Sequence, residues 1–180
     1  MKLDRILTPA LIAGLAVVAL PALASAAATP GPNAEKALQA AKITLAQAIA
    51  TVEKQTGGKI THAVFDDQSG KDGYVVTAYT AGKMQTLWVD PQSGVATVVA
   101  KPSPDEAAVA TQDQADMPAL NSGKATLSEA VSMAEQHDGG RAYDASLQKH
   151  NGLIAINVDV LKDGKLSSVW VDPAAGKIES

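Results

Sequence analysis

Reactive side chains are few in this chain of 180 residues, and they do not cluster. Cysteine is absent, so no thiolate nucleophile, thiolate metal ligand or disulfide can form. The three histidines, His62, His137 and His150, stand in unrelated stretches; no pair is spaced i, i+4, and no H-E-x-x-H seats zinc on a helix face. His137 closes a helical stretch, where an imidazole suits the last carbonyls. His62 on a strand and His150 in the turn "KHNG" are expected to face solvent. Asp66-Asp67, with Asp72 across "QSGKDG", make the nearest approach to a cation site. A calcium loop would alternate Asp or Asn and close on a distal Glu, which is missing, so a solvated turn is expected. No nucleophile elbow, Walker loop or dinucleotide fingerprint occurs, and Gly57-Gly58-Lys59 follows a helix where a phosphate cradle would precede one. The expectation is a protein that is not an enzyme: no catalytic residue, no metal ligand and no cofactor.

Aromatic residues are left as contact candidates, and they lead to the organisation of the chain. "LWVDPQSG" at 87–94 returns as "VWVDPAAG" at 169–176, with Trp88 and Trp170 separated by 82 positions. Sliding the chain against itself by that offset aligns residues 43–95 with 125–177 without a gap. Thr44 meets Thr126, Glu53 meets Glu135, Gly57-Gly58 meets Gly139-Gly140, and Ala63 meets Ala145. Glycines, a proline and a tryptophan kept in one register read as an internal duplication. Within the repeated phrase, an aspartate can accept turn amides, proline fixes φ, and Gly94 or Gly176 supplies a left-handed position. Turn stabilisation, not catalysis, is the expected role of Asp90 and Asp172.

Elements follow from the periodicity. "TLAQAIATVEKQTGG" and "TLSEAVSMAEQHDGG" each start with a capping box, Thr44 with Gln47 and Thr126 with Glu129, and stop at a Gly-Gly pair. Leu45, Ala48, Ile49 and Val52 share one helical face, as do Leu127, Ala130, Val131 and Ala134. Beyond each Gly-Gly the period becomes two. "KITHAVFD" and "RAYDASLQ" read as strands, followed by hairpins turning at Ala81-Gly82 and Asp163-Gly164. Tyr74, Val76, Ala78, Leu87 and Val89 then face the helix, with Ile156, Val158, Val160, Val169 and Val171 in the second copy; Trp88 and Trp170 point the other way.

Outside the copies, "MKLDR" leads into "ILTPALIAGLAVVAL" and the small residues Ala24 and Ala26, the pattern of a secretory signal over 1–26, cut after Ala26. Pro9 and Pro21 bracket a run too short for the ~20 apolar residues of a membrane span. Residues 27–42 are an Ala-rich N-terminal spacer, expected to extend the first helix backwards or to fray, and 100–124 form a Pro-containing linker. The formal net charge of −4 becomes one unit more negative once Lys2, Arg5 and Asp4 are removed. That balance suits solubility and excludes a phosphate-binding basic surface, so no nucleic-acid partner is expected.

Helix, Gly-Gly, strand, then a hairpin closing on an aromatic-Val-Asp-x-x-x-Gly turn resembles the PepSY domain family, over residues 43–99 and again over 125–180. The resemblance implies an α+β fold of two repeats, each one helix packed on a small antiparallel sheet of three to four strands. It implies an exported bacterial protein, periplasmic or secreted, with no membrane span after cleavage. It also implies a non-enzymatic role resembling peptidase propeptides and inhibitors: protein binding, with a protein or peptide partner such as a secreted peptidase, or modulation of an envelope partner. The alternative is an envelope sensor or accessory protein binding a small ligand or metal ion through loops such as Asp66–Asp72. Trp88, Trp170 and Tyr79 are the expected contacts, either with an extended peptide at a sheet edge or between the two copies. In the second case the outer faces would pack together around the two indoles, because a unit of this size is marginal alone.

Overall fold

Reciprocal hydrogen bonds start two of the helices where the sequence places them. Thr44 Oγ1 accepts the Gln47 amide at 3.2 Å while the Gln47 side chain takes the Thr44 amide at 2.9 Å. Thr126 and Glu129 repeat the pair at 3.3 and 2.8 Å, so two otherwise orphaned donors are satisfied at each helix start. The computed structural model describes residues 29–67, 70–80, 83–99 and 123–179. The leader at 1–26, the turn at Ala81-Gly82 and most of the 100–124 linker lie outside the described residues.

Among the described residues, three helices, α1 (Ala34–Ala40), α2 (Leu45–Thr56) and α3 (Leu127–Asp138), accompany eight strands. The strands are β1 (Lys59–Asp66), β2 (Gly73–Thr80), β3 (Lys83–Val89) and β4 (Ala96–Val98), then β5 (Arg141–His150), β6 (Leu153–Lys162), β7 (Lys165–Asp172) and β8 (Lys177–Ile178). Gly57 and Gly139 end α2 and α3 at φ 66° and 71°, each returning its amide to the glutamate four residues back at 2.8 Å. Glycine, with no Cβ, adopts this left-handed cap at no steric cost. At the β6–β7 hairpin, Asp163 and Gly164 have φ 51° and 72°, the paired positive values of a two-residue turn that follows strand twist.

All eight strands form one antiparallel sheet, in the order β4-β3-β2-β1-β5-β6-β7-β8. The α+β class stands, but the expected pair of small sheets is corrected: the halves join edge to edge, β1 against β5. The reason is physical. β1 and β5 would each leave a row of unpaired amides and carbonyls, and pairing removes both edges.

Alternation along the strands sorts residues onto two faces. Ala63, Phe65, Tyr74, Val76, Ala78, Leu87 and Val89 are buried with α2, and Ala145, Leu147, Ile156, Val158, Val160, Val169 and Val171 with α3, in one core. Phe65 lies edge-on to Tyr74, centroids 5.2 Å apart, and to Tyr143 at 6.4 Å, a favoured aromatic geometry. The spacer is corrected as well. α1 is a helix of its own, separated from α2 by Ala41–Thr44, with Ala34 and Leu38 in the core. Its Glu35 carboxylate accepts the Asp163 and Gly164 amides at 2.9 and 2.7 Å, tying α1 to the β6–β7 turn.

Candidate functional site

The repeated Trp-Val-Asp-Pro phrase holds helix to sheet. Asp90 Oδ1 accepts the Ser93 amide at 2.8 Å, the Gln92 amide at 3.0 Å and the Ser93 hydroxyl at 3.0 Å. These donors, the Ser93 amide foremost, hold the Asp90 carboxyl below the usual carboxylate range. Asp172 Oδ1 accepts the Ala174 and Ala175 amides at 2.7 and 3.1 Å. The prolines do the tethering: Pro91 O accepts the Lys42 and Ile43 amides at 2.9 and 3.2 Å, and Pro173 O those of Lys124 and Ala125 at 2.7 and 3.1 Å. Each turn therefore fixes the entry of the helix that opens its half, and the expected turn role of both aspartates is borne out.

Trp88, Tyr79 and Trp170 all lie on the face away from the helices, each half-buried, and none meets another. Four strands separate β3 from β7, which at ~4.8 Å per strand sets the two indoles about 24 Å apart. A second core built on both indoles is therefore corrected; edge-to-edge pairing spreads them instead. Tyr79 sits four residues along β2 from Val75, the residue facing Trp88, or about 13 Å away. Each indole has its own cover. Lys71 Nζ stands 3.5 Å from the Trp88 ring centroid, a cation–π contact, and the ring lies across Gly73, leaving no room for a side chain there. His150 stacks on Trp170 at 4.1 Å with 17° between planes, and its Nε2 is 3.6 Å from Glu179 Oε2. His150 thus ends β5 as a stacking residue and is not a solvated turn.

At the centre of the same face lies a polar cluster that the sequence reading missed. His62 Nε2 is 3.0 Å from Asp144 Oδ2, with side-chain exposures of 17% and 6%, so the expectation of an exposed His62 is corrected. Asp144 faces Asp159 on β6. Asp159 Oδ1 accepts the Ser168 hydroxyl at 2.5 Å, while its buried Oδ2 has no hydrogen-bond partner among the described residues. Burial pushes the Asp159 carboxyl up; Ser168 opposes this, and the charge of Asp144 adds to it. One signal was present in the sequence: His62 and Asp144 are themselves 82 residues apart.

Several other titratable groups make structural contacts. His137 Nδ1 lies 2.7 Å from Asp138 Oδ1 at the exposed end of α3; the Ser167 hydroxyl and then His137 hold Asp138 low. Tyr143 donates to Asp67 Oδ1 at 2.9 Å, and burial, then Asp67, lift the phenol above its ordinary value. Asp67 is thereby committed to a tyrosine within the Asp66–Asp72 loop. Tyr74 donates to Ile43 O at 2.7 Å, and burial pushes its phenol up to about 12. Among the described residues, no group of three or more His, Cys, Asp or Glu is placed to hold a metal ion, and no helix is long and apolar enough to cross a membrane.

A groove of about 610 Å³ runs between α2 and α3 over Ala46, Ala50, Lys124, Glu129 and Met133. The outer strands of the sheet are β4 and β8; β4 is flanked by Val95 and ends on Val98, which are 61% and 50% exposed.

Residues 42–97, which comprise α2, β1–β3 and most of β4, match the PepSY family, described as "Peptidase propeptide and YPEB domain". The resemblance read from the sequence holds for that stretch. No curated protein matches the chain. Among solved structures, the chain is similar to the crystal structure of a candidate lipoprotein from Clostridium difficile 630: 19% identity and a TM-score of 0.42, covering 80% of this chain and 95% of that one.

Proposed function

We propose that the protein is an exported, non-enzymatic pair of PepSY-like modules, residues 43–99 and 125–180, that binds polypeptide and modulates a peptidase or envelope partner. Its leader is 1–26, removed after Ala26, and it acts in the periplasm or outside the cell. The observation that carries this reading is the outer β4 edge with Val95 and Val98 exposed, within a stretch matching a family described by peptidase propeptides. An extended segment added to that edge gains main-chain hydrogen bonds, and the valines supply apolar contact. Trp88, Tyr79 and Trp170 contribute from the helix-free face. A metal or small-ligand role for the Asp66–Asp72 loop is not favoured, because Asp67 already accepts the Tyr143 hydroxyl.

The test uses the mature chain and a thermolysin-like metalloprotease. Slowed turnover by the parent, restored by the V95E/V98E variant at an unchanged thermal midpoint, supports the reading. Ordinary turnover with rapid digestion of the parent sinks it.

A further inference from the structure

The seam between the halves has a symmetry that its chemistry breaks. β1 and β5 pair over three positions: His62 with Ser146, Ala63 with Ala145, and Val64 with Asp144. Ala63 and Ala145 are each other's counterparts at the offset of 82, so a local two-fold axis through that pair exchanges the two strands. In any antiparallel pair so related, the residues just before the axis pair are exchanged with each other and approach diagonally on one face. Here those residues are His62 and Asp144, and they meet at 3.0 Å. Identical strands would bring together two aspartates, like charges that oppose pairing, or two histidines, which would forgo the imidazole–carboxylate contact. Asp159 beside Asp144 would make an acidic pair costlier still.

We propose that the β1 edge is an interaction surface fitted to a single partner, the β5 edge of the other half, and that His62–Asp144 is the lock that selects it. Unlike side chains at equivalent positions favour β1 on β5 and disfavour β1 on β1 or β5 on β5 between copies of the chain. Selection by a penalty on the wrong pairing is how related interfaces keep apart. The inference rests on reading residues 125–177 as a second copy of 43–95, and it is independent of whether a peptidase is bound.

Two experiments on the mature chain test it. In the first, H62D, D144H and the exchanged double H62D/D144H are compared by thermal unfolding. Each single variant loses midpoint, and the double regains more than half of the combined loss, because an aspartate and a histidine again face each other. Singles that match the parent, or a double no better than the two losses added, overturn the lock. In the second, the double variant A63C/A145C is oxidised; cysteine occurs nowhere else, and directly opposed strand positions suit a disulfide. Cross-linking without recovery in the exchange overturns the lock and leaves the duplicated register standing. Failure to cross-link overturns the register, and the lock with it.

Discussion

The two halves agree wherever short-range hydrogen bonding decides the structure, and they differ wherever they touch something else. Capping boxes, left-handed glycine caps and proline tethers coincide at every equivalent position. The filling differs: Phe65 and Tyr74 in the first half stand where Leu147 and Ile156 stand in the second. Gln92 reaches the Ala40 carbonyl at 2.9 Å, binding α1 to the first turn, where the second half has Ala174. α1 precedes the first half in sequence yet caps a turn of the second through Glu35. The frame is alike in the two halves, whereas the seam, the edges and the strap differ.

Removing core volume tests the comparison most strongly. Ile49 and Val131 are equivalent and fully buried. I49A is expected to cost about 3 kcal/mol and V131A about 2 kcal/mol. Because one sheet and one core join the halves, each variant should lower a single calorimetric transition. Two separable transitions, each moved by only one variant, would break the halves apart.

The turns come next. D90A should lower the midpoint more than D172A, since Asp90 holds an extra hydroxyl donor, Ser93, besides its two amides. Its depressed carboxyl also sets a sign with pH. The stabilisation is complete above the unfolded value of ~3.9 and is lost as pH falls through the lower folded value. The gap between D90N and the parent should therefore be widest near neutrality and close in acid; a gap that widens in acid contradicts the assigned hydrogen bonds.

T44A and T126A are each expected to cost about 1 kcal/mol, and clearly unequal losses would show that one cap is redundant. The smallest effect has the opposite sign. Burial raises the folded Asp159 carboxyl above its unfolded value, so the native state holds that proton more tightly. Stability then falls as pH rises from ~3.9 through the folded value. D159N removes that cost and should gain up to about 1 kcal/mol at neutral pH, with no gain in strong acid. A loss at neutral pH would show that the charge itself is required.

Much of this was legible beforehand because it is local. The α2 and α3 boundaries followed from Thr44, Thr126 and the glycine pairs, β1 from "KITHAVFD", and the β6–β7 turn from Asp163-Gly164. The inward strand residues followed from alternation. The continuous sheet was not legible, since pairing of β1 with β5 is made by backbone groups that every residue carries. α1 escaped for a related reason: "AEKALQA" has a narrow apolar face, and only the tertiary partners of Ala34, Glu35 and Leu38 fix it. For the candidate site, Trp88 and Trp170 were placed on the correct face, but their separation depended on the seam. His62 and Asp144 could have been paired only by asking what a two-fold relation does to equivalent residues.

The central claim is that the halves share one sheet through Ala63 and Ala145. Methyl-labelled NMR of the mature protein measures this directly. The account predicts a cross-strand NOE linking Ala63 with Ala145, of strength similar to that between other directly opposed strand residues such as Val76 and Leu87. If the Val76–Leu87 contact is seen and the Ala63–Ala145 contact is missing, the halves are separate bodies and the account is wrong.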